Sequence, residues 1–266
     1  MSYLELRDGL PLYFEDHGAG PPIALVPGWT LTTRSWERQI EDLSRDHRVV
    51  TLDLRGAGNS GKTPEGHSLS GYADDLAELF RELDLDDVVL VGFAMGVSVA
   101  VHYLAAHGRD RVSGLVWVDH SPRFYSSPDW PYPLFGDLTP QKFDETLRGL
   151  WHDRRAATRE LLDVMFQGPA SWMYGESMKT PTEVAAAMLA AVAATDLRPF
   201  LPQLDLPVLF VNGRRSVVPF EVGAWLAEQV PNSRSVVLDG AGHGPFWDDA
   251  AGFNEAVREF ARAVRA

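Results

Sequence analysis

The chain has 266 residues, 45% of them hydrophobic, enough to bury one α/β domain carrying a helical insertion rather than two independent domains. Its 24 Lys and Arg against 37 Asp and Glu give a net charge of -13, which repels phosphate backbones and argues against nucleic acid as a partner. There is no cysteine, so disulfides, a thiol nucleophile and thiolate metal sites are excluded, and no apolar run reaches membrane-spanning length. The first residues, 1–8, are too charged for a signal peptide, and the expectation is a soluble cytoplasmic protein without membrane contact.

In chain order, residues 3–7 and 12–16 read as an opening hairpin and residues 22–26 as a short buried strand. An amphipathic helix is predicted over 33–43, a strand over 48–52, a helix over 70–83, a strand over 87–92 and a helix over 95–107. Residues 112–119 form another apolar strand. From 121 to about 204 strand signals stop; aromatic and helical segments take over, punctuated by Pro128, Pro131, Pro133, Pro169 and Pro181, with a strong helix former at 185–194. Strand and helix then alternate again at 207–212, 221–229, 234–238 and 250–265. This order implies a mostly parallel sheet flanked by helices, residues 1–120 and 205–266, with a helical cap, 121–204, over the carboxyl ends of the strands where open α/β sheets bind ligands.

Four loops at strand ends carry the functional signal: Pro27-Gly28-Trp29, the run from Asp53 to Ser60, Gly92-Phe93-Ala94-Met95-Gly96, and Gly240-Ala241-Gly242-His243. In this order and between these elements they resemble the α/β-hydrolase superfamily, in particular its esterases, lactonases and non-haem haloperoxidases. The resemblance makes Gly92 to Gly96 the nucleophile elbow, whose glycines leave room for a cramped strand-to-helix turn. Its middle position is Ala94, and a methyl group cannot attack a carbonyl. His243 takes the place of the catalytic histidine, a group able to shuttle protons near neutral pH.

The orienting acid has two possible places in the superfamily. After the later strand the chain reads Asn212-Gly213-Arg214-Arg215-Ser216, without a carboxylate, and Ser216 cannot hold the charge that stabilises an imidazolium. Asp119, after the strand preceding the helical region, is therefore the expected acid. The resemblance assigns the oxyanion donors to the backbone N–H groups of Met95 and Trp29. Asp53 to Ser60 lacks the Lys-Ser/Thr ending of a phosphate loop and reads as a structural turn. Ser98, one helical turn past the elbow, is not the expected nucleophile. His47, His67, His107 and His152 read as solvated. No His, Asp and Glu cluster has metal-ligand spacing, and neither metal nor cofactor is expected.

The aromatic content of residues 121–204 suggests a pocket for an apolar or aromatic small molecule, walled by Trp29, Phe93, Phe124, Trp130, Trp151 and Trp172. The first functional reading is hydrolysis of an ester or lactone through a triad of position 94, His243 and Asp119, with alanine as an inactivating replacement of the nucleophile. A second rests on similarity to the cofactor-independent 2,4-dioxygenases of hydroxy-oxoquinolines, which share Pro-Gly-Trp and the early acid and in which a His/Asp dyad deprotonates the substrate; a lyase on the same dyad is related. The chain departs from that family at Thr30 to Thr33, which lacks its histidine, and at Ala94. A third reading is a ligand-binding protein on a dead hydrolase frame, which would gain nothing from keeping His243 and Asp119 in register.

Overall fold

Successive side chains of a strand leave on opposite faces, and in the central strands of this chain both faces are apolar, so the sheet must be covered on both sides. A computed structural model, describing residues 2–166 and 171–266, shows this arrangement. Eight strands are introduced in chain order: β1 (Ser2–Glu5), β2 (Pro11–His17), β3 (Pro22–Val26), β4 (Arg48–Leu52), β5 (Val88–Phe93), β6 (Val112–Val118), β7 (Val208–Gly213) and β8 (Ser233–Leu238). They form one sheet in the order β1-β2-β4-β3-β5-β6-β7-β8. The β1–β2 and β2–β4 pairs are antiparallel and the others parallel.

Helices α1 (Glu37–Leu43), α2 (Leu69–Glu82) and α3 (Met95–His107) join the strands from β3 to β6, α8 (Glu221–Gln229) joins β7 to β8, and α9 (Pro245–Asp248) and α10 (Ala250–Ala263) follow β8. Strand residues alternate between two cores. Ala24, Val26, Leu90, Leu115, Trp117 and Phe210 pack with Leu76 and Phe80 of α2, Val97 of α3 and Leu226 of α8. Their neighbours Ile23, Leu25, Val91, Val116 and Val211 pack with Leu43 of α1 and Phe253, Val257 and Phe260 of α10. This is the mostly parallel, helix-flanked sheet that the order of strand and helix signals implies.

Between β6 and β7 lie α4 (Pro140–His152), α5 (Arg154–Met165), α6 (Ser171–Ser177) and α7 (Thr182–Ala193), with no strand of the sheet among the described residues. Thr139 caps α4 by accepting from Lys142 N–H, and Asp153 ends α4 and caps α5, accepting from Arg155 and Ala156 N–H. The helix expected over 33–43 begins instead as a 3-10 turn, Thr33–Trp36, because the wholly buried Trp36 ring must reach Phe246 (centroids 4.6 Å apart) before α1 can leave the core. Pro169, expected to break the helices, lies outside the described residues. Among the described residues no helix is long and apolar enough to cross a membrane.

Candidate active site

The parallel strands deliver three functional loops to one edge of the sheet. At the end of β5 the chain turns into α3 through Ala94, whose backbone sits at φ 47° and ψ -116°. This left-handed conformation costs an alanine of the order of 1–3 kcal/mol and persists because the surroundings hold it: Ala94 N–H donates to Val118 O at 3.0 Å. The glycines are sterically required. A side chain at Gly92 would lie 2.6 Å from Gly96 O, and one at Gly96 would strike Val26 O. The turn thereby sets the Cβ of residue 94 in the wall of a cleft.

Asp119 follows β6, also at positive φ (46°), and is wholly buried. Its carboxylate accepts from His243 Nδ1 at 2.7 Å, from Gly213 N–H at 3.0 Å, from Asn212 Nδ2 at 3.4 Å and from the Ser216 hydroxyl. Ser216 thus stands where the later acid would be and contributes a donor to the earlier one. His243 is buried, its ring 4.9 Å from that of Phe93, and its backbone N–H donates to Met165 O at 3.2 Å. With Nδ1 engaged by a carboxylate, Nε2 is left to exchange a proton with a reacting group.

Trp29 and Met95 border the same cleft, and neither backbone N–H has an acceptor among the described residues. Two free N–H groups beside the elbow can meet developing negative charge on an oxygen. The Trp29 indole donates to Ala185 O of α7 at 2.7 Å, so its ring both walls the cleft and ties the loop to the helical region.

The cleft holds about 810 Å³ of empty space, its open mouth included, and is walled almost wholly by carbon. The strand-end side gives Trp29, Leu31, Phe93, Ala94, Met95 and Val218; the helical side gives Phe124, Leu138, Phe143, Leu162, Phe166 and Leu189, among others. Its polar side chains are His243, His120 and Thr146, and the Thr146 hydroxyl is spent on Lys142 O. Trp29, Phe93 and Phe124 are thus among the residues in the cleft wall.

Trp130, Trp151 and Trp172 are not. Trp130 is buried against Trp225 of α8, ring centroids 4.9 Å apart, and pins the helical region to the core. Trp151, at the end of α4, points to solvent, and Trp172 stacks on Trp247 at 4.6 Å with Arg34 over its face. His47, expected in solvent, is buried beside Asp46, and His67 is half-buried with Nδ1 2.9 Å from the Tyr72 hydroxyl.

The run from Asp53 to Ser60 is a closed turn: Asp53 is wholly buried and accepts from Thr33 N–H and Asn59 N–H, each at 2.7 Å. Burial raises its pKa to about 6. The sequence reading passed over His120, which lies in the cleft wall with Nε2 2.9 Å from Ser98 Oγ. The available signal was Ser98 at i+4 from Ala94, hence on the same face of α3. Among the described residues no group of His, Asp and Glu could hold a metal ion.

Comparison with known proteins agrees with this architecture. A family model described as alpha/beta hydrolase fold matches residues 21–250. An esterase from Exiguobacterium antarcticum superposes with a TM-score of 0.92 at 28% identity, covering 98% of this chain and 99% of that one. A bromoperoxidase from Bacillus anthracis gives a TM-score of 0.89 at 31% identity over 95% and 96%. A bifunctional esterase/perhydrolase of Acinetobacter calcoaceticus is 29% identical over 99% of this chain and 100% of its own. With the family model spanning β3 to β8, the elbow and the His243 loop, the chain belongs to the α/β-hydrolase family.

Proposed function

We propose that the chain is built to hydrolyse an ester or lactone of an apolar or aromatic small molecule, with residues 121–204 as its cap. Position 94 is the nucleophile position, His243 the base and then the acid, Asp119 the group that orients it, and the Trp29 and Met95 N–H groups the oxyanion donors. The observation that carries this reading is the Asp119–His243 contact of 2.7 Å beside a strained elbow in the wall of an apolar cleft. With alanine at 94 no acyl intermediate can form. His243 can then only draw a proton from water as it attacks a carbonyl polarised by the two N–H groups, a route about three orders of magnitude or more slower than a working triad.

The test compares the chain as it stands with Ala94→Ser on aryl esters and lactones. Burst kinetics and a gain of about 10³-fold or more in kcat, lost again on adding His243→Ala, are expected. Esters and lactones untouched by both forms would sink the reading.

A second reading is favoured by the same dyad, intact beside a residue that has no nucleophile. His243 then abstracts a proton from an acidic hydroxyl or carbon of the substrate, and the anion reacts with oxygen or eliminates a leaving group. Oxygen uptake with a hydroxyquinolone by the chain as it stands, abolished by His243→Ala, would favour it over ester hydrolysis.

A further inference from the structure

A serine–histidine pair lies beside the same cleft and has no part in the chemistry above. Ser98 is on α3, one turn beyond Ala94, and wholly buried; His120 directly follows Asp119 and is 2% exposed. Trp117 Nε1 donates to His120 O at 2.7 Å and fixes the backbone, while Phe124 meets the His120 ring edge-on at 5.3 Å. The ring is thus held in one place, with Nε2 2.9 Å from Ser98 Oγ.

Proton accounting fixes its tautomer. A buried hydroxyl proton must reach an acceptor, and among the described residues the Ser98 hydroxyl has only His120 Nε2. Nε2 therefore accepts, and the ring proton sits on Nδ1. Burial, reinforced by the nearby His243, pushes the His120 pKa down to about 3, so the ring is neutral at physiological pH. Nδ1–H then has no acceptor among the described residues, and the ring belongs to a wall that is otherwise apolar apart from His243 and the already bonded Thr146.

We propose that His120 is a substrate-binding residue whose Nδ1–H donates to an acceptor oxygen of the ligand distinct from the reacting carbonyl. Resting on the cleft being the small-molecule site described above, it narrows the ligand class to apolar or aromatic compounds that carry a second carbonyl or similar oxygen. Ser98 acts through His120 as a positioning residue: its hydroxyl selects the tautomer that offers a donor.

The test uses the chain with Ala94 in place and two non-hydrolysable probes of equal shape, 2,6-diacetylnaphthalene and 2-acetyl-6-isopropenylnaphthalene, which share one carbonyl for the Trp29 and Met95 N–H groups and differ in a second carbonyl oxygen against a methylene. Titration calorimetry should show the diketone binding about tenfold more tightly, the size of one hydrogen bond made in a dry site. His120→Phe should erase that preference, and Ser98→Ala, which leaves the ring but frees its tautomer, should reduce it to about threefold. Nitrogen-15 spectra of the unmutated protein should show His120 as the Nδ1–H form with no titration from pH 5 to 9. A preference that survives His120→Phe, an Nε2–H tautomer, or failure of both probes to bind overturns the proposal. Inert esters with Ala94→Ser, alongside a His120-dependent diketone preference, would remove the hydrolase reading and leave this one standing.

Discussion

The strand ends and the helical region form opposite walls of one cleft by different physics. On the strand-end side the loops are set by backbone: Thr30, beside Trp29, and Ala94 and Asp119 all have positive φ (55°, 47° and 46°), conformations a flexible loop would relax. Parallel-sheet hydrogen bonds hold two of them, through Ala94 N–H to Val118 O and Asp119 N–H to Val211 O at 2.8 Å. The helical side contributes shape through carbon side chains, Phe143 of α4, Leu162 of α5 and Leu189 of α7 together with Phe124, Phe135 and Leu138 of the loop before α4, where Phe135 also has positive φ (56°). The two sides meet through polar ties: Trp29 Nε1 to Ala185 O, Thr30 Oγ1 within 2.6 Å of Ser177 Oγ, Thr32 Oγ1 to Glu176 at 3.0 Å, and His243 N–H to Met165 O. Arg154 of α5 lies over the Trp29 ring, its centroid 5.2 Å away, and burial lowers its pKa to about 10. Ala94 and Asp119 are thus fixed by the sheet, while the facing wall is set by the helical side and held in place by these ties.

The sharpest way to break this division is at the junction. Trp130 is 2% exposed between Trp225 and Arg198 and borders no part of the cleft. Trp130→Ala should destabilise the protein by about 3–5 kcal/mol in urea unfolding, the usual cost of removing a buried large aromatic, while leaving the KM of the Ala94→Ser form for aryl esters unchanged. A raised KM with unchanged stability would mean that Trp130 faces ligand and that the helical region docks differently in solution.

A smaller effect tests the strand-end side. Asp53 is buried with a pKa near 6 against an ordinary 3.8, so the folded state holds its proton more tightly than the unfolded state. The sign follows: its contribution to stability is full below about pH 3.8, declines as pH rises toward 6, and is constant above, where a buried charge is carried. Asp53→Asn should therefore destabilise more at pH 4 than at pH 7, the difference being about 2–3 kcal/mol. Equal destabilisation at both pH values would show that Asp53 is ionised throughout and that the loop supplies more compensation than its two N–H donors.

How far the sequence carried follows the same divide. The strands were legible because a parallel strand covered on both faces shows as a short continuous apolar run, and the elbow because only glycine fits at 92 and 96. Asp119 could be reached by the lack of a carboxylate at 216. The support from Ser216 could not, because a contact between residues 97 positions apart depends on how β6 and β7 pair. His120 was hidden for a related reason: its meaning comes from Ser98, 22 residues earlier on another element. In the helical region, aromatic identity marks a residue that wants burial without saying against which of three surfaces, so Phe124, Trp130 and Trp172 looked alike and went to the cleft, the core junction and Trp247.

Trp151 gives the smallest expected effect and the cleanest control on that point. It shares its residue type with Trp130 but stands 62% exposed at the last turn of α4, where Leu150 beside it is wholly buried. One step along a helix turns a side chain by about 100°, enough to carry it from the packed face to water. Trp151→Ala should accordingly change the unfolding free energy by no more than about 0.5 kcal/mol and leave ligand affinity untouched. A loss of affinity for the naphthyl diketone with stability intact would place the end of α4 over the cleft mouth in solution. The helical side would then contribute to binding by moving as well as by shape.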